Sequence, residues 1–188
     1  MPNTSATGGY LLGVLPDNLV LRRFIGGVIV AVTGLSTGLV RPRWQPNPPA
    51  IPTADIGWCA FGVTQSAPDA SAVVQLNEDG DAGILTRQEE VSVLASFYGP
   101  NASGYSELLR DGLELSQNRE AMFLNGMGLK EVGPSAHVPE LINEIWFDRV
   151  DLPLIIRREI RRNYSLLSFL QANAPGSFIR TETLEIPL

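Results

Sequence analysis

Residues 145–164 read IWFDRVDLPLIIRREIRRNY. They alternate for much of their length, with Leu152, Leu154, Ile156 and Ile160 on one side and Asp151, Ile155, Arg157, Glu159 and Arg161 on the other. Strand side chains point to opposite faces with a period of two, so this spacing predicts one long strand with a charged far end. Pro153 has no N–H to give to a ladder, which predicts a sheet edge or a bulge and leaves one side of the strand for pairing with another chain. Residues 83–98 read as a second long strand, in which Val91, Val93, Ala95 and Phe97 share a face. Residues 58–65 (WCAFGVTQ) and 72–76 read as shorter strands, and the turn 77–81 between the shorter and longer ones contains Asp79-Gly80, a hairpin signal. These three strands are expected to form an antiparallel meander. Residues 177–188 alternate well enough to be a further strand.

Helical spacing occurs in two regions. Leu21, Phe24, Ile25, Val28, Ile29 and Val32 predict a helix from an Asp17 or Asn18 cap to about Thr33, ended by Gly34. Gly26 and Gly27 inside it cost about 1 kcal/mol each against alanine but permit close backbone approach. After Asn101, the stripe Ala102, Tyr105, Leu108, Leu109 and Leu113 predicts a second helix, and residues 116–124 a third, with a short strand at 129–132. The fold class that follows is α+β.

Between the first helix and the first strand, residues 40–57 read VRPRWQPNPPAIPTADIG, with five prolines, two arginines and a tryptophan. Each proline fixes φ and removes a donor, so the segment is expected to run extended over a surface, as neither a helix nor a central strand. At about 3.1 Å per residue it spans up to about 55 Å, enough to reach a neighbouring copy. The chain therefore divides into an N-terminal segment and helix (1–39), a proline-rich arm (40–57) and a core (58–188).

With 188 residues and 44% hydrophobic content, the chain can bury one core. Its net charge is −6, which disfavours a general nucleic-acid binder. Thirteen arginines stand against the single Lys130. That bias suits bidentate contacts to carboxylates, and host base composition would produce it equally. One cysteine, Cys59, excludes an internal disulfide framework and a multi-thiolate metal site, and points to a reducing compartment. The first ten residues lack the basic start and apolar run of a secretion signal, and residues 24–35 are too few to span a bilayer.

Residues Gly34-Leu35-Ser36-Thr37-Gly38 fit the nucleophile-elbow pattern, but an elbow needs a strand before its serine and a helix after it, and here a helix precedes and the arm follows. His137, the only histidine, lies in a loop context, and no phosphate-binding glycine pattern occurs. Asp148 and Asp151 beside Arg149 read as cross-strand ion pairs rather than as a catalytic pair. The acidic turn at 77–81 lacks the closing glutamate of a calcium loop. No catalytic, cofactor-binding or metal-binding residues are expected. Arg157, Arg158, Arg161 and Arg162 form the one basic cluster, either a solvated strand end or an interface strip.

Four stretches taken in order resemble the neck-terminator proteins of tailed bacteriophages: VRPRWQPNPP at 40–49; WCAFG at 58–62; LRDGL at 109–113 with Gln117-Asn118-Arg119; and RREIRRNY at 157–164. The resemblance covers residues 40–164. It implies a tail-terminator-like α+β fold, a twisted, mainly antiparallel sheet with helices packed on one side, carrying the extended arm. It further implies a virion structural protein, built in the bacterial cytoplasm, that caps the finished tail tube as a six-subunit ring. Such a ring contacts tail-tube and sheath proteins, docks head-side collar proteins and lets viral DNA pass without specific binding. Interface residues expected for such a ring subunit are Arg41, Arg43, Trp44, Trp58, Arg157, Arg158, Arg161 and Arg162, with Glu78, Asp79, Asp81, Glu89 and Glu90 as acidic receivers on the neighbour. Two other readings stay open: an adaptor binding a partner through Arg41 to Pro49, and a serine hydrolase using Ser36 and His137.

Overall fold

The computed structural model describes residues 11, 13, 18–69, 71–78 and 82–165. The expected strand at 177–188 and the Asp17 cap lie outside them. The first helix or strand among the described residues is helix α1 (Asn18–Thr33), whose Leu21, Ile25 and Ile29 form the buried stripe. Gly34, with φ +73°, ends it in the left-handed conformation that glycine reaches at little cost, its N–H donating to Val30 O at 3.0 Å. A single 3-10 turn, Thr37–Leu39, then leads into strand β1 (Val40–Pro42), followed by β2 (Trp58–Pro68), β3 (Val73–Leu76) and β4 (Ala82–Tyr98). Helices α2 (Ala102–Glu114) and α3 (Ser116–Leu124) come next, then β5 (Met127–Val132), β6 (Ala136–His137), β7 (Glu140–Ile142), β8 (Ile145–Phe147) and β9 (Arg149–Ser165).

Among the described residues, seven strands form one sheet with the path β1-β2-β4-β9-β5, with β3 on β4 and β6 on β9; β7 and β8 make a separate hairpin. All pairs are antiparallel except β1 with β2. β4 and β9 pair along their full length, from Ala82↔Ser165 to Tyr98↔Arg149. Alternation sends Val91, Val93, Ala95 and Phe97 of β4 and Val150, Leu152, Leu154 and Ile156 of β9 to one face, where they meet the stripes of α1 and α2 in the main core. The fold is thus α+β, with helices packed on one side of a mostly antiparallel sheet.

Several expectations are corrected in detail. Residues 145–164 are not one strand. Asn143 and Glu144 hold φ of 50° and 65°, the paired left-handed geometry of a two-residue hairpin turn, so residues 145–147 fold back on β7 and β9 starts at Arg149. Pro153 does not mark an edge. β9 there lies between β4 and the β5–β6 line, and the proline falls in the gap after Val132↔Leu154 and before Ala136↔Asp151, where no N–H is required of it. β2, β3 and β4 are not a meander: β2 and β3 both pair with β4, leaving its other side to β9, as one long hairpin interrupted around residues 69–72. In α2 the buried stripe is Ala102, Ser106, Leu109 and Leu113, and Leu108 is exposed, because the sheet lies one position further round the helix.

Candidate interaction surface

The face of the sheet away from the helices carries polar and aromatic residues where β2, β4 and β9 meet. Register brings them together: Trp58 pairs with Tyr98, Tyr98 with Arg149, and Ser96 with Asp151. Trp58 and Tyr98 stack with centroids 4.3 Å apart and planes 9° from parallel. The Arg41 guanidinium lies 5.7 Å from the Trp58 ring and that of Arg149 lies 5.7 Å from Tyr98, so two stacked rings are bracketed by two cations. Each such cation–ring contact contributes about 0.5–2 kcal/mol, according to how dry it is.

A hydrogen-bonded chain runs beside this stack. Arg43 donates to the Ser96 hydroxyl, which donates to Asp151; Arg149 holds both Asp151 oxygens at 2.8 Å and reaches Glu140 at 2.9 Å. The Tyr98 hydroxyl also donates to Glu140, at 3.1 Å. Asp151 thus pairs with Arg149 two residues back on its own strand and reaches across to β4 through Ser96. Burial pushes the Tyr98 hydroxyl up to about 12, against the opposing pull of Arg149 and Arg43. Burial alone would lower Arg149, but its hydrogen bond to Asp151 and the charges and bonds around it more than reverse this. On the helix side of β2, burial drives the Cys59 thiol well above its ordinary value, with Arg43 opposing in part.

This network fastens two surface segments. Residues 43–57 contain neither helix nor strand, and they leave the edge strand β1 through Arg43, whose N–H donates to Phe61 O at 2.7 Å. Trp44 follows with φ 58°, a conformation costly for a side-chain-bearing residue. Its ring lies over Gly62, where a Cβ would stand 2.5 Å from Trp44 Cζ3, so a side chain there would displace the ring. Arg41 Nη1 donates to Ala50 O at 2.6 Å and Ala54 packs on the Trp58–Tyr98 cluster, drawing the arm back over this face. The second segment is the β7–β8 hairpin, held through Glu140 and through Phe147 and Ile142 against the same cluster.

The expected interface residues therefore part into two groups. Arg41, Arg43 and Trp58 are engaged within the subunit as just described. Trp44 is 62% exposed. On β9, Arg158 is not an open charge: its Nε and Nη2 both lie 2.9 Å from Glu89 Oε2, and Glu89 is buried. Arg157 is half exposed and 3.9 Å from Asp69, Arg161 is exposed and bonded to Glu159 of its own strand, and Arg162 is half-buried. Glu90 holds Lys130 at 2.6 Å, so Glu89 and Glu90 are both occupied inside the chain; Glu78 is exposed, and Asp79 and Asp81 lie outside the described residues.

Ser36 is exposed before the 3-10 turn, with α1 rather than a strand ahead of it, and His137 pairs with Val150 in β6. Among the described residues no group of three or more His, Cys, Asp or Glu is placed to hold a metal ion, and no helix is long and apolar enough to cross a membrane. The bracketed stack, the Arg43–Ser96–Asp151–Arg149–Glu140–Tyr98 chain and the buried Glu89–Arg158 pair were missed from the sequence. The available signal was that Ser96 and Tyr98 alternate with the apolar positions of β4, as Arg149 and Asp151 do in β9. The family model described as phage neck terminator protein matches residues 19–182. No curated protein matches the chain.

Proposed function

The chain belongs to the phage neck terminator protein family, and from that premise we propose that it closes into a ring, of six subunits, that caps the finished tail tube, joins it to head-side neck proteins and lets the genome through. The observation that carries this reading is the extent of the family match, which takes in every described helix and strand except the first residue of α1. As a phage neck protein it is a structural component of the virion; assembly in the host cytoplasm belongs to the proposal. The surface agrees with a role in contact rather than in catalysis. A network with buried members fixes an arm and a hairpin, which hold Trp44 at 62% and Trp146 at 68% exposure, and large exposed aromatics on well-braced segments are the usual anchors of protein interfaces.

In this reading Trp44, Arg157, Arg161 and Arg162 face neighbouring proteins, while Arg41, Arg43 and Trp58 shape that surface from beneath and Arg158 secures the strand that carries the arginines. The net charge of −6 suits a channel that passes DNA without gripping it. The test is the solution mass of the purified chain by light scattering, with negative-stain images, at low and moderate salt. Closed rings near six copies support the proposal. Open polymers or dimers with two-fold symmetry overturn it.

A further inference from the structure

Two apolar surface features among the described residues are complementary. The first is a groove of about 670 Å³ between the N-terminal half of α1 and the β1 edge. Gly26, Gly27, Val40 and Phe61 line its apolar part, and Arg22 and Arg23 stand on its rim. The second is the β7–β8 hairpin. Leu141 and Trp146 are cross-strand partners on its outer side, 55% and 68% exposed, while Phe147 and Ile142 on its inner side pack on the Trp58–Tyr98 cluster. The tight Asn143–Glu144 turn places an exposed carboxylate at its tip.

We propose that the hairpin of one copy inserts Leu141 and Trp146 into the groove of the next copy, with Glu144 meeting Arg22 and Arg23. This contact rests on the ring reading above and names the surfaces that would close it. Charge complementarity selects the occupant: no acidic residue lines the groove, and its rim carries two arginines for which no ion pair occurs among the described residues. The hairpin tip offers the opposite sign beside an apolar pair. The groove opens on the helix side of the sheet and the hairpin packs on the other, so the pairing joins different patches of two chains. Such a head-to-tail contact propagates and closes into a ring when its rotation allows. The aromatic anchor supplies affinity, and the charges at the rim supply orientation and rate.

The experiment uses the full chain. Trp146→Ala is expected to raise the concentration at half-assembly at least about 10-fold, which corresponds to about 1.4 kcal/mol, with the circular dichroism spectrum of the monomer unchanged. Arg22→Glu with Arg23→Glu is expected to weaken assembly, and adding Glu144→Arg to that pair to restore it, a rescue that misfolding does not give. Mixed Glu144→Cys and Arg23→Cys chains, distinguished by a tag, are expected to form an inter-chain disulfide on oxidation. If the wild type assembles while these variants assemble equally well and no mixed disulfide forms, the contact is refuted. If the wild type stays monomeric at every concentration, the ring reading fails and this contact with it.

Discussion

Replacing Arg158 with methionine is predicted to destabilise the subunit far more than replacing Arg158 and Glu89 together. Glu89 sits at the end of the apolar row that continues as Val91, Val93, Ala95 and Phe97, and its side chain is 8% exposed against 18% for Arg158. Both guanidinium contacts are 2.9 Å and fall on the same oxygen, Oε2. At that distance the attraction is about 6 kcal/mol for an effective dielectric constant near 20. Desolvation of the two groups offsets most of it, so the pair contributes little net stability against an apolar pair of similar size. Arg158→Met leaves the carboxylate buried without its counter-charge, an expected loss of about 3 kcal/mol, or about 6–12 °C in Tm for a chain of this length. Glu89→Leu alone strands the guanidinium, with a smaller loss because Arg158 is the more exposed partner. The double variant is expected within about 1 kcal/mol of wild type. Urea unfolding followed by tryptophan fluorescence at one fixed protein concentration measures all four chains. A loss below about 1 kcal/mol for Arg158→Met, or a double variant as unstable as the sum of the singles, refutes the reasoning.

Tyr98 is held neutral by burial, with its folded value near 12 above the ordinary tyrosine value of about 10, so its contribution is complete below pH 10 and lost as pH rises from 10 to 12. Stability should fall across that window and fall less steeply in Tyr98→Phe; identical slopes would contradict the assignment. Gly27→Ala is expected to stabilise α1 by about 0.5–1 kcal/mol, since an added Cβ meets nothing within 4 Å, whereas Gly112→Ala places a Cβ 2.3 Å from Val32 Cγ1 and should cost stability despite the better helix former. Thermal melts of the two variants shifted in the same direction would count against the α1–α2 packing. Cys59, fully buried with its thiol pushed up, should resist a thiol reagent in native buffer and react once in denaturant; rapid native labelling would show that β2 opens. Trp44→Ala is expected to weaken ring formation while leaving the monomer melting temperature within a few degrees of wild type, because the ring is mostly outside the core.

Local pattern accounts for most of what was legible in the sequence. α3 falls on residues 116–124 as expected, Gly34 ends α1 where a left-handed residue is needed, and the apolar faces of β4 and β9 follow strict alternation. What stayed hidden depended on which strand lies beside which. Asn143-Glu144 lacks the glycine that normally announces a two-residue turn, so the hairpin merged with β9 into one apparent strand. Pro153 looks like an edge marker until β5 and β6 are placed on either side of it. The network joins residues from 43 to 151, and only the β4–β9 and β2–β4 registers put Ser96 beside Asp151 and Trp58 on Tyr98. The same registers turn part of the arginine cluster inward, since Arg158 faces Glu89 directly, while Arg161 on the alternate face stays exposed.

The proposed place of this chain is in a neck ring at the head end of the tail tube. Its most direct test is averaged electron micrographs of phage particles carrying a gold-labelled affinity tag on the chain. Label is expected only at the junction of head and tail, over a ring with the symmetry of the tube. Label on the capsid shell, the fibres or the distal tail tip, or particles that lack the chain altogether, would contradict it.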